Sequence, residues 1–140
     1  MRNQDVNEVR RGRQIMNVCM LSEVCISSLA KINIGLKVLP KRNNGFHNIE
    51  SIFQTVDIAD ELNVTLSDGN ARCKVSCDSL RLPTENTITM AYNAFCTVTG
   101  MELPSVNVEL TKRIPSGGGL GGGSSNAAAL VRALQIITDI

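Results

Sequence analysis

The chain has 140 residues, 14 Lys+Arg against 13 Asp+Glu, 43% apolar and 19% charged residues, and no Trp. That length supports one globular core, and the apolar content excludes a disordered chain. A net charge of +1 with scattered basic residues, one Tyr and three Phe exclude both a polyanion-binding field and a stacking platform, so no nucleic-acid partner is expected. No apolar run reaches the roughly 18 residues of a membrane span, and no membrane partner is expected.

The five cysteines, Cys19, Cys25, Cys73, Cys77 and Cys96, form an odd set with no repeated pair spacing, and one His is too few to complete a metal site with them. They read as small hydrophobes in a reducing compartment, the cytoplasm. Cys73 and Cys77 share a face with Val75 in an alternating stretch and are expected to be buried.

Residues 1–29 read as an extension, disordered or the product of an over-long start at Met1 when Met16 or Met20 would serve. Glu23 interrupts what would be a signal peptide's apolar centre, and Asp5 and Glu8 argue against a transit peptide. Residues 30–140 are expected to form the domain. From Lys31 to Val38 the chain alternates strictly, with Ile32, Ile34, Leu36 and Val38 on one face and Lys31, Asn33, Gly35 and Lys37 on the other, which predicts a half-buried strand. Turn residues Pro40 to Gly45 follow, and Ile49 to Ile58 predicts the second arm of a hairpin. A second hairpin is expected to pair Leu62, Val64 and Leu66 with Cys73, Val75 and Cys77 around Ser67, Asp68, Gly69 and Asn70.

Ile88, Ala91, Tyr92, Phe95 and Val98 then recur at helical spacing, with Asn86 or Thr84 able to cap the start and Gly100 the end. Val106, Val108 and Leu110 form a short strand, Pro115 ends it, and Ser124 opens a second helix running through Ile137. The expected class is α+β: a mostly antiparallel sheet packed with helices and carrying a glycine-rich strand-loop-helix.

Six of the 11 glycines lie at Gly117, Gly118, Gly119, Gly121, Gly122 and Gly123, with Leu120 between them and Ser124, Ser125 and Asn126 after. Glycine loses the most backbone entropy on folding, so such a run needs a compensating use, and close approach of backbone to a ligand is one. Placed between a strand and a helix, the loop's N–H groups converge with the positive end of the helix and attract phosphate, while the serine hydroxyls can bind it or a phosphate-bound cation. A flexible linker would not run straight into Ala127, Ala128, Ala129 and Leu130. No Lys follows the last glycine, which excludes a P-loop. Gly117, Gly119 and Gly122 fit GxGxxG formally, with Asp139 at about the right distance, but the helix leaves no room for the second strand a dinucleotide fold needs.

The stretch Ile114 to Ala128 resembles the ATP-binding motif of the GHMP kinases, in the glycine-expanded form of the branch whose acceptor is 4-diphosphocytidyl-2-C-methyl-D-erythritol. Ala30, Lys31, Ile32 and Asn33 resemble that branch's N-terminal segment, and Gly45, Phe46 and His47, followed by Ile52, Phe53 and Gln54, resemble its Gly-Tyr-His and Phe-Gln segments in the same order. The resemblance implies transfer of the γ-phosphoryl group of ATP, with Mg²⁺, to the 2-hydroxyl of that cytidyl substrate in non-mevalonate isoprenoid biosynthesis. It implies ATP binding by Pro115, Ser116, Gly117, Gly118, Gly119, Leu120, Gly121, Gly122, Gly123, Ser124 and Ser125, a catalytic role for Lys31, and substrate contacts from Asn33, Phe46 and His47.

By strand pattern alone Lys31 would be an ordinary solvated lysine; the resemblance makes it the cation facing the transferred group. Phe46 stands where the branch usually has Tyr, keeping a stacking face and losing a hydroxyl. The family's catalytic Asp and second domain would fall after Ile140, so the chain is expected to be an N-terminal piece, inactive alone. Two alternatives stand beside this reading: a truncated, non-catalytic ATP- or phosphate-binding module, and another GHMP kinase such as a mevalonate or homoserine kinase. The longer glycine loop and His47 count against the second.

Overall fold

A computed structural model describes residues 22–68 and 72–140. The elements run β1 (Glu23–Lys41), β2 (His47–Ser67), β3 (Cys73–Ser76), α1 (Thr87–Thr99), β4 (Ser105–Thr111) and α2 (Gly122–Thr138). The strands form one sheet in the order β1-β2-β4-β3, antiparallel except for the parallel pair β3 and β4. One hydrophobic cluster joins the sheet to both helices, through Leu62 and Val64 of β2, Val106 and Val108 of β4, Tyr92 and Phe95 of α1, and Leu130, Leu134 and Ile137 of α2. The α+β class is the expected one. Among the described residues no helix is long and apolar enough to cross a membrane.

α1 forms where its periodicity and caps predict. The Asn86 side chain accepts from the N–H groups of Ile88 (3.0 Å) and Thr89 (3.2 Å), and the Asn86 N–H donates to the Thr89 hydroxyl at 2.9 Å, a reciprocal box that stabilises a helix start by about 1 kcal/mol. Gly100 ends the helix in the left-handed region at φ 68. α2 starts at Gly122, two residues before Ser124, because Gly121 already caps it at φ 76.

Several expectations fail. The second hairpin does not form: Leu62, Val64 and Leu66 pair with Leu110, Val108 and Val106 of β4, and Cys73 and Val75 pair in parallel with the other edge of β4. Alternation marks a strand's inward face but not its partner, and three strands here share the same pattern. The expected turn also reaches residues 69–71, outside the described residues. Second, β1 begins at Glu23, and Val24, Ser28 and Ala30 are buried, so ordered structure starts before Lys31; residues 1–21 lie outside the described residues.

Third, Ile32, Ile34, Leu36 and Val38 are exposed, not half-buried, with Ile34 at 53%, and they do not share one face: the register shift between Ile34 and Leu36 turns Leu36 and Val38 to the side opposite Ile32 and Ile34. β4 pairs only with Glu61–Ser67 of β2, so the outer part of the β1–β2 hairpin is a two-stranded ribbon without a covering layer. Cys73 and Cys77 are partly buried against the core rather than fully enclosed; burial, helped by neighbouring Cys96, pushes the Cys73 thiol up to about 11.

Candidate functional site

The glycine run folds as a tight loop between Ile114, at the exit of β4, and the first turn of α2. Gly117, Gly119 and Gly121 take φ of 78, 68 and 76, alternating with residues of negative φ, the backbone pattern that turns successive N–H groups toward one concave face. At the helix start the first intrahelical bond runs from the Ser125 N–H to the Gly121 carbonyl at 2.9 Å, which leaves the N–H groups of Gly122, Gly123 and Ser124 without helical acceptors. No side chain caps them and no acidic residue stands in the first turn, so an anion meets donors and the positive helix end without competition.

The loop borders a cavity of about 370 Å³. Leu80, Leu82 and Leu110 provide apolar wall, suited to a flat base, while Asn86, Thr87 and Lys112 provide polar groups beside it. All the loop residues from Pro115 to Ser124 line it; Ser125 does not. The Ser125 hydroxyl instead donates to the Leu29 carbonyl at 2.8 Å, tying α2 to β1, whereas the Ser124 hydroxyl has no protein partner among the described residues. Of the two serines, Ser124 is the one free to reach a phosphate or cation.

Lys31 meets this loop directly. Its N–H donates to the Leu120 carbonyl at 2.9 Å, and a Cβ added at Gly121 would stand 3.1 Å from its Cγ and 3.2 Å from its Cε. Gly121 is therefore required twice, by its positive φ and by the lysine stem lying against it. The Lys31 ammonium donates to Asn33 Oδ1 at 2.7 Å and sits 5.4 Å from the Phe53 ring centroid, within range of a cation–π contact. Asn33 Nδ2 donates in turn to the Ser51 hydroxyl at 2.8 Å, and Ser51 to the Gly35 carbonyl at 2.8 Å. This chain of bonds fixes the lysine's direction while leaving Asn33 one oxygen lone pair and one N–H for a ligand.

Phe46 and His47 lie at the turn end of the β1–β2 hairpin and make no hydrogen bond to Lys31. His47 pairs with Lys41, ten residues along β1 from Lys31, and register shifts after Ile34 and Val38 break the strand between them, so the path is not straight. Phe46 is 73% exposed, and His47 Nδ1 lies 2.8 Å from the Leu39 carbonyl.

Beneath the loop lies a group the motif reading missed. Asp60 is fully buried; its carboxylate accepts from Lys112 Nζ (2.8 Å), the Arg113 and Ile114 N–H groups (2.7 Å each) and Asn126 Nδ2 (2.9 Å). Burial by itself would raise its pKa, but the Lys112 ammonium and the three N–H donors together outweigh it and hold the carboxyl below its ordinary value. Lys112 also donates to the Ile114 carbonyl. The signal was present in the sequence: Asp60 is the one charged residue in the alternating series with Leu62, Val64 and Leu66.

Residues 86–140 match the GHMP kinases N terminal domain. The chain is 43% identical over 117 residues to 4-diphosphocytidyl-2-C-methyl-D-erythritol kinase of Treponema pallidum, covering 84% of this chain and 40% of that protein. It is 46% identical over 113 residues to the kinase of the same name from Thermotoga maritima, covering 81% and 40%. A crystal structure of 4-(cytidine 5'-diphospho)-2C-methyl-D-erythritol kinase superposes with a TM-score of 0.66 at 33% identity over 80% of this chain and 40% of that one. Homoserine kinase from Cytophaga hutchinsonii, at a TM-score of 0.64 and 24% identity, shares the fold. The chain thus spans about 40% of the length of the curated relatives it matches. Its glycine loop, the strand packed on that loop and these likenesses agree: the chain belongs to the GHMP kinase family and carries its N-terminal domain.

Proposed function

We propose that this chain forms the nucleotide-binding part of an enzyme that transfers the γ-phosphoryl group of ATP to the 2-hydroxyl of 4-diphosphocytidyl-2-C-methyl-D-erythritol, a step of non-mevalonate isoprenoid biosynthesis. The observation that carries this reading is the docking of the uncapped glycine loop onto Lys31, which sets an anion cradle and a positioned cation side by side. Phosphoryl transfer asks for little else from a protein: in-line positioning and neutralisation of charge spreading over the transferred group.

In this assignment the base lies against Leu80, Leu82 and Leu110, and the phosphates meet the N–H groups of Gly122, Gly123 and Ser124. The Lys31 ammonium, steered by Asn33 and the Phe53 face, stabilises negative charge on the transferred group. The free Ser124 hydroxyl is the protein oxygen offered to a phosphate-bound Mg²⁺, a hard cation that prefers such oxygens and would neutralise the β- and γ-phosphate charge. Asn33 contacts the methylerythritol part through its remaining lone pair and N–H. Phe46 and His47 hold the cytosine, by ring stacking and a polar contact to its edge. Among the described residues no carboxylate touches Lys31, so the roles assigned to this chain are positional and electrostatic.

The test is calorimetric titration of the chain with ATP and Mg²⁺, followed by the cytidyl substrate, homoserine or mevalonate. Saturable ATP binding, weakened at least tenfold by Gly121→Val, with the cytidyl compound alone binding in addition, supports the proposal. Nucleotide affinity indifferent to Gly121→Val refutes the loop assignment, and a preference for homoserine or mevalonate refutes the acceptor.

A further inference from the structure

We propose that Asp60 is a positioning residue that clamps the two ends of the glycine loop and so presets the nucleotide site; the functional part of this inference rests on the reading above. The loop is the most entropically costly segment of the chain, with six glycines in seven positions, and a ligand that had to order it from a free state would lose affinity accordingly. One buried carboxylate removes that need. Its Oδ1 accepts the N–H groups of Arg113 and Ile114, the last two residues before the loop. Its Oδ2 accepts Asn126 Nδ2, at the start of the second turn of the helix that follows, together with the Lys112 ammonium. β2, the exit of β4 and the start of α2 are therefore joined at a single side chain, and everything between residues 114 and 126 is held as a closed arch.

The chemistry calls for a carboxylate. Four donors converge on Asp60, and an ionised carboxyl has acceptor sites for all four. An amide of the same shape has one oxygen, and its NH₂ would face either the Lys112 ammonium and Asn126 Nδ2 together or the Arg113 and Ile114 N–H groups, donor against donor. Asp60→Asn thus opens the clamp on at least one side without changing side-chain volume.

Two amides report the arch's position without any ligand. The Lys31 N–H donates to the Leu120 carbonyl and the Ser125 N–H to the Gly121 carbonyl, so both protections depend on the loop staying in place. The Val106 N–H, bonded to the Arg72 carbonyl at 2.9 Å on a fully buried residue of β4 away from the loop, is the control for opening of the whole fold. The experiment is amide hydrogen exchange on the chain, with ATP–Mg²⁺ calorimetry on the same samples, for the native sequence, Asp60→Asn and Asn126→Leu. The Asn126→Leu variant removes only the helix-side bond, together with an Asn126 oxygen that has no hydrogen-bond partner, and a similar-sized apolar side chain keeps that buried position filled.

The expected result is exchange at Lys31 and Ser125 at least tenfold faster in Asp60→Asn and severalfold faster in Asn126→Leu, with Val106 accelerated severalfold less than either in each variant and ATP affinity falling about tenfold in Asp60→Asn. If the three amides accelerate together, or if Lys31 and Ser125 keep their protection, Asp60 is an ordinary structural residue and the inference is overturned. Unchanged ATP affinity despite selective loss of loop protection overturns it too, because the preset arch would then not matter to binding. A native chain that binds no ATP but shows the selective exchange supports the clamp and refutes the functional reading, so the two failures are separable.

Discussion

Gly121→Ala separates the two demands placed on that glycine, because Gly119→Ala supplies a matched control. Both residues hold positive φ, 68 at Gly119 and 76 at Gly121, but a Cβ at Gly119 meets nothing within 4 Å whereas one at Gly121 meets the Lys31 stem at 3.1 and 3.2 Å. The left-handed conformation costs an L-residue about 1–2 kcal/mol, offset by roughly 0.4–1 kcal/mol from the less flexible unfolded chain, so Gly119→Ala is expected to destabilise by about 0.5–1 kcal/mol. Overpacking adds about 1–3 kcal/mol where neighbours cannot yield. Lys31 yields in part: its stem is flexible, but its N–H is fixed to Leu120 and its ammonium to Asn33. The lower end, about 1 kcal/mol, is therefore the expected excess of Gly121→Ala over Gly119→Ala. Urea denaturation of the chain measures both, and a Lys31→Ala background should erase the excess while leaving the Gly119 cost in place. Equal costs at the two glycines, or an excess that survives Lys31→Ala, would refute the packing of Lys31 on the loop.

Lys31→Ala is expected to lower turnover in an active preparation far more than it lowers ATP affinity, because its charge acts on the developing transition state; a raised KM with unchanged kcat in a coupled ADP-release assay would contradict that role. His47→Ala should chiefly weaken binding of the cytidyl substrate and spare ATP, and loss of turnover with full substrate affinity would reject the cytosine assignment. The folded-state pKa of Asp60 lies below its ordinary value of 3.8, so the stability it contributes is complete above about pH 4 and disappears as pH falls through the lowered folded value. Urea midpoints measured from pH 7 down to pH 3 should decline less steeply in Asp60→Asn than in the native chain, and identical profiles would show that the carboxyl's lowered pKa contributes nothing.

What could be read in advance was local. Asn86 and Gly100 bracket α1 because a cap is chosen by residues three or four positions away, and the glycine loop announces itself by composition alone. Strand order was not legible, since Leu62, Val64 and Leu66 match the alternation of Cys73, Val75 and Cys77 as well as that of Val106, Val108 and Leu110; only packing of the whole sheet selects β4. The site divided along the same line. Lys31 and Asn33 are adjacent on one strand and stood out as a pair through the resemblance, whereas Asp60, Lys112 and Asn126 converge from three elements. Their one sequence trace was a carboxylate on an apolar face, and a charge there implies partners without naming them.

The exposed hairpin face leads to a prediction about the chain in isolation. Ile32 and Ile34 of β1 share one face of the ribbon with Ile52 of β2, while the register shift between Ile34 and Leu36 turns Leu36 and Val38 to the other face with Ile49; on the first face Ile32 is 40% exposed, and Ile34 and Ile52, directly paired across the ladder, are 53% and 65% exposed. Contiguous apolar surface of a few hundred Å² is near the upper limit for a soluble monomer and usually marks a contact face. At about 25 cal/mol per Å², covering even 200 Å² is worth roughly 5 kcal/mol before the cost of association, enough to drive self-association at the concentrations of an ordinary preparation. Sedimentation of the chain alone should therefore show a weight-average mass that rises with concentration. Ile34→Lys combined with Ile52→Lys should return it toward a monomer, with a stability change near 0.5 kcal/mol because neither side chain is buried. A native chain that sediments as a monomer at every concentration, or a double variant that associates as strongly, would show that this face is not adhesive.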